Sequence, residues 1–73
     1  MLEITISPVG DQWSLSAPEL GEDLHFIGGG QAEAAGRRLA GRLAAAGQAA
    51  ALTIVLRDGQ IAARLPYPAA LAA

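Results

Sequence analysis

The sequence predicts an α+β fold, β-β-β-α-β-β, with one mixed, mostly antiparallel sheet and a single helix packed on one face. Three observations carry this. Residues 2–7, LEITIS, alternate apolar and polar side chains with the period of a half-buried strand. Asp58-Gly59 separates two further alternating runs, as a tight hairpin turn does. Residues 31–46, QAEAAGRRLAGRLAAA, form the one stretch with helical periodicity. A right-handed crossover through that helix lays the fourth strand parallel to the first, giving the sheet order 3-2-1-4-5.

Each element follows from its side chains. Leu2, Ile4 and Ile6 share one face of the first strand, and residues 12–17 repeat the pattern with Trp13, Leu15 and Ala17. Pro8-Val9-Gly10-Asp11 between them has turn composition, and a hairpin opposing Ser7 to Gln12 sets Ile6 against Trp13 and Ile4 against Leu15. Residues 18–24, PELGEDL, read as a polar connection, with His25-Phe26-Ile27 as a short third strand.

In the helix, Ala32, Ala35, Gly36, Leu39, Leu43 and Ala46 fall on one stripe, and Gly47 supplies the stop. Gly36 costs about 1 kcal/mol of helix propensity against Ala, which close approach to the sheet compensates. Gly41 points the other way. In the last hairpin, a two-residue type I′ turn opposes Leu56 to Ile61, Ile54 to Ala63 and Leu52 to Leu65. The opposite face then carries Thr53, Val55, Arg57, Gln60, Ala62 and Arg64, and should be wet. Pro66-Tyr67-Pro68 ends the strand, leaving a single domain over residues 1–65 and a Pro/Ala-rich tail over 66–73.

A chain of 73 residues buries about 60% of its unfolded surface, so the core is single and shallow. No cysteine is present to reinforce it. The longest apolar run, residues 49–56, is far short of a bilayer span, and no leader pattern opens the chain. The expectation is a cytoplasmic protein with no membrane association. All five basic residues are arginine in an Ala- and Gly-rich chain, a bias suited to a GC-rich bacterial genome. A net charge of −2 speaks against a general nucleic-acid footprint, which needs clustered cations.

Gly28-Gly29-Gly30 raises the question of a phosphate loop. A P-loop needs a following Lys and hydroxyl, and a dinucleotide fingerprint needs a third spaced glycine; Glu33 stands where that glycine belongs. With Gly30 as N-cap, Glu33 takes the N3 position and repels an anion. The segment therefore reads as a hinge, with small-anion or nucleotide binding as an alternative. Arg37 lies one turn after Glu33, whereas Arg38 and Arg42 share the other flank, open to neutralisation by Glu19, Glu22 or Asp23.

Arg38, Arg42, Arg57 and Arg64 are the candidate contacts for a partner or an anion. His25 is the one histidine, and no Ser-His-Asp spacing, H-E-x-x-H motif or carboxylate pair accompanies it. No catalytic, cofactor or metal residue is predicted, and the chain is expected not to be an enzyme. Tyr67 in LPYP reads as a strand end rather than a groove ligand. The wet face, with Thr5, Ser7, Ser14, Ser16 and Thr53, lacks the aromatics needed to stack bases.

Asp11-Gln12-Trp13-Ser14-Leu15, Ala32-Glu33-Ala34 with Leu39-Ala40, and Arg57-Asp58-Gly59-Gln60-Ile61 together resemble the small bacterial domain of unknown function numbered 2188. The resemblance spans most of residues 2–65 and implies a sheet-plus-helix fold with no established activity. The acidic stretch at 18–24 and the triple glycine, where that family more often has a hydroxyl cap, are departures. Pro18-Glu19-Leu20 and the Glu33-Ala34 helix start more weakly resemble the N-terminal domain of HicB-type antitoxins. That resemblance implies a toxin partner; the separate DNA-binding segment of that family is not among these residues.

The expected function is a non-catalytic protein-interaction or accessory domain, bound to a partner or paired as a homodimer through an exposed sheet edge. The alternative is a nucleic-acid-binding or antitoxin-like module using the four arginines.

Overall fold

The computed structural model describes residues 1–70. The elements run β1 (Leu2–Val9), β2 (Gln12–Ala17), β3 (Glu22–Phe26), α1 (Gly29–Ala45), β4 (Ala50–Val55) and β5 (Ile61–Tyr67). A 3-10 turn at Pro18–Leu20 joins β2 to β3. The five strands form one sheet in the order β3-β2-β1-β4-β5, with β1 parallel to β4 and every other pair antiparallel. This is the predicted topology.

The parallel pairing sets Leu2 beside Ala50, Ile4 beside Leu52 and Ile6 beside Ile54. These side chains and Leu15 point at α1, and Ile4, Ile6, Leu15 and Leu52 are fully buried. Large side chains on the sheet require small ones on the helix. Ala32, Gly36 and Ala40 are the buried helix positions, with Ala35, Leu39 and Leu43 packed beside them. The predicted stripe is therefore rotated: Ala40 belongs to it, and Ala46 is exposed.

The first hairpin is tighter than predicted. Val9 opposes Gln12, Pro8 opposes Trp13 and Ile6 opposes Leu15, so only Gly10 and Asp11 form the turn. Gly10 has φ +60 and Asp11 does not, the pattern of a type II′ turn. The expected register is off by two residues, which leaves the apolar faces together because the strand period is two. Pro8 is tolerated in the strand because it lies beyond the last β1–β4 pair, Ile6 with Ile54.

The last hairpin also differs. The Leu56 N–H donates to the Gln60 carbonyl at 2.8 Å and the Gly59 N–H to the Leu56 carbonyl at 2.9 Å. With Gly59 at φ +87 and no positive φ at Asp58, this is a three-residue loop rather than type I′. That loop shifts the pairing by one residue, and an irregularity between Ile54 and Val55 shifts it back. Val55 pairs with Ile61, Ile54 with Ala63 and Leu52 with Leu65, so Ala62 is the extra residue of a β-bulge.

Three boundaries are corrected. Residues 22–24 are strand rather than loop, and Ile27, placed in the third strand by the sequence, lies outside it and is 82% exposed. The helix starts earlier, with Gly28 as N-cap instead of Gly30. Pro66 and Tyr67, assigned to the tail, pair with Ala51 and Ala50 inside β5. The following segment is tied down as well, since the Ala70 N–H donates to the Ala44 carbonyl at 2.9 Å. Residues 71–73 of the predicted tail lie outside the described residues.

Candidate functional site

The fold separates the four candidate arginines. Arg64, on β5, is committed: its Nη1 donates to Glu3 Oε1 at 2.7 Å and Thr53 Oγ1 at 3.0 Å, and its Nη2 to Glu3 Oε2 at 3.2 Å. This fork spans β1, β4 and β5 on the face away from α1. The Arg64 hydrogen bond, aided by its charge, holds the Glu3 carboxyl below its ordinary pKa, and Glu3 in turn raises Arg64.

Arg57 does not share that face. Its Nη1 donates to the Gly10 carbonyl at 2.7 Å, and its guanidinium carbon stands 5.8 Å from the Trp13 ring centroid. It clasps the two hairpin turns together. A continuous basic surface through Arg38, Arg42, Arg57 and Arg64 is therefore not formed.

Arg38 and Arg42 are brought instead to a groove between α1 and the edge strand β3. Its volume is about 220 Å³, and its lining comes from Leu15 of β2, Glu22 and Leu24 of β3, and Ala35, Arg38, Leu39 and Arg42 of α1. Leu15 is the buried floor, while Leu24 is 46% exposed on the rim. Both arginines are solvent-exposed. Among the described residues neither has a carboxylate within 4.0 Å; the ion pairs there are Arg37 with Glu33 at 3.7 Å and Arg64 with Glu3. The expected neutralisation by Glu19, Glu22 or Asp23 is not made, because β3 holds Glu22 on the opposite wall of the groove.

The second wall escaped the sequence reading because residues 18–24 looked like a loop. The signal was present: Leu24 and Phe26 alternate with Asp23 and His25, the period of a strand. Gly21, at φ +69 with its N–H on the Pro18 carbonyl at 3.0 Å, closes the turn that starts the strand.

The glycine segment has a packing role. A Cβ on Gly29 would lie 3.0 to 3.3 Å from the Trp13 indole, so the helix start rests directly on that ring. Gly28 offers no side-chain cap, and with the helix starting at Gly29 its first turn holds no acidic residue. Glu33 consequently sits at N5, not N3, and its carboxylate faces Arg37 instead of the helix N-terminus.

The sheet also gathers residues that are far apart in sequence. Ser14 opposes His25, and Ser16 opposes Asp23, all on the face away from α1. The Ser14 hydroxyl meets Ser7 Oγ at 3.3 Å, and no hydrogen bond to His25 is formed among the described residues. No His, Cys, Asp or Glu cluster among them has metal-binding geometry, and no helix is long and apolar enough to cross a membrane. No family model, curated protein or solved structure matches the chain.

Proposed function

We propose that the protein is a non-catalytic protein-interaction domain whose docking surface is the groove between α1 and β3. One observation carries the reading: an exposed leucine, Leu24, faces two arginines, Arg38 and Arg42, that form no ion pair among the described residues. The volume of about 220 Å³ is below the ~300–1,000 Å³ of small-molecule sites, and suits a side chain presented by a larger partner. The resemblance to the HicB-type antitoxin domain points the same way, since that family binds a protein.

The homodimer expected from exposed edges is a weaker reading. β3 carries Glu22 and Asp23, and β5 carries Pro66 and the Ala62 bulge, all devices that discourage edge pairing. Nucleic-acid binding loses its main support because Arg64 is held by Glu3 and Arg57 by Gly10 and Trp13.

Selection of a displayed random-peptide library on the immobilised protein tests the proposal, with Leu24→Ser as control. Peptides should enrich on the native chain and be lost on Leu24→Ser, whose circular dichroism should be unchanged. No enrichment, or equal retention on both chains, would overturn the reading.

A further inference from the structure

Resting on the groove as docking surface, we propose that its partner is an extended acidic segment with an aliphatic side chain between two carboxylates. The geometry of the two walls supplies the pattern. On α1, Arg38 and Arg42 lie one turn apart, a spacing of about 5–6 Å between Cβ atoms. Along an extended chain, side chains on the same side recur about every 6–7 Å. Carboxylates at alternate positions of such a segment therefore meet both guanidiniums at once. The intervening side chain points the other way, toward β3, where Leu24 presents apolar surface.

Charge fixes the orientation. Glu22 stands on the β3 wall, so a carboxylate turned to that side is repelled while an aliphatic group is accepted. Arg38 and Arg42 repel each other across one turn, and a partner carboxylate beside each guanidinium offsets that repulsion. The attraction is local, because the whole chain carries a net charge of −2 and does not steer anions from a distance.

Titration of the ¹⁵N-labelled chain with a nine-residue Gly/Ser peptide bearing a central Asp-Leu-Asp tests this, followed by amide shifts. Parallel titrations use Asn-Leu-Asn and Asp-Ser-Asp peptides and a single-stranded DNA decamer. The Asp-Leu-Asp peptide should move amides of residues 22–24 and 35–42, bind more weakly as salt is added, and outcompete both peptide controls. Arg38→Ala with Arg42→Ala should weaken it about two- to thirtyfold, at positions where alanine favours the helix.

Equal binding of the Asn-Leu-Asn peptide would overturn the acidic partner while leaving the groove reading intact. So would no binding of any designed peptide when the library selection does yield Leu24-dependent sequences. Stronger shifts of the same amides by the DNA decamer would replace the protein partner with a nucleic acid. Shifts of those amides on concentrating the protein alone would assign the groove to a second copy of the chain.

Discussion

At residue scale, the two glycines in the helix interior, Gly36 and Gly41, have opposite roles. A Cβ on Gly36 would lie 2.9 Å from Leu52 Cδ1 and 3.3 Å from Ile6 Cδ1, whereas one on Gly41 would meet nothing within 4 Å among the described residues. Gly36 lets the helix axis approach two fully buried side chains, and no packing contact requires Gly41. Gly41→Ala should therefore raise stability by up to about 1 kcal/mol, a gain of roughly 4–8 °C in Tm. Gly36→Val should lower stability by about 1–3 kcal/mol through overpacking. Thermal melts by circular dichroism check both, and a Gly36→Val melt at or above the native one would remove close approach as the reason for that glycine. Helical periodicity alone put Gly36 on the inner face, so its role was legible in the sequence. Gly29 was not, because its requirement comes from Trp13, a residue brought under the helix by the sheet.

At the scale of elements, side-chain period proved more informative than turn chemistry. The pairs Ile54 with Ala63 and Leu52 with Leu65 were readable because a slip of one residue would turn Ala63 and Leu65 away from the core. The turn itself was misread, since Asp58-Gly59 suits both a two-residue and a three-residue loop. The Ala62 bulge reconciles the longer loop with the register that burial demands. The candidate site was half legible: the four-residue spacing of Arg38 and Arg42 was plain, but the β3 wall was hidden by the polarity that an exposed edge strand requires. On the other face, the Glu3–Arg64 fork ties the edge strand β5 to the central strand β1 across Thr53 of β4. Glu3 has a depressed pKa in the folded state, so its contribution is present above the unfolded-state value and disappears as pH falls through the folded one. Denaturant titrations of Glu3→Gln should show a small loss of stability at neutral pH that vanishes in acid. An equal deficit at every pH would mean that the carboxylate charge is not what matters.

For the whole molecule, the shallow core and the open sheet set the constraints together. A chain of this size has a stability of about 4–11 kcal/mol, and one lost core side chain such as Leu52 costs about 2–5 kcal/mol. With so little in reserve, unpaired strand edges would recruit other copies whenever the fold loosened. The two edges are protected differently. β3 is short and carries adjacent carboxylates at Glu22 and Asp23, while β5 is longer and its one charge, Arg64, is turned to Glu3. The protection of β5 must therefore come from its backbone, from the bulge at Ala62 and from Pro66, which has no N–H to offer a neighbouring strand. The native chain should sediment as a 7.4 kDa monomer across a wide concentration range. Pro66→Val, which restores a donor and adds a β-branched side chain, should introduce concentration-dependent association while leaving the β4–β5 register in place. Persistence of the monomer in Pro66→Val would place the whole protection of this edge on the bulge, and association of the native chain would show that neither device is sufficient.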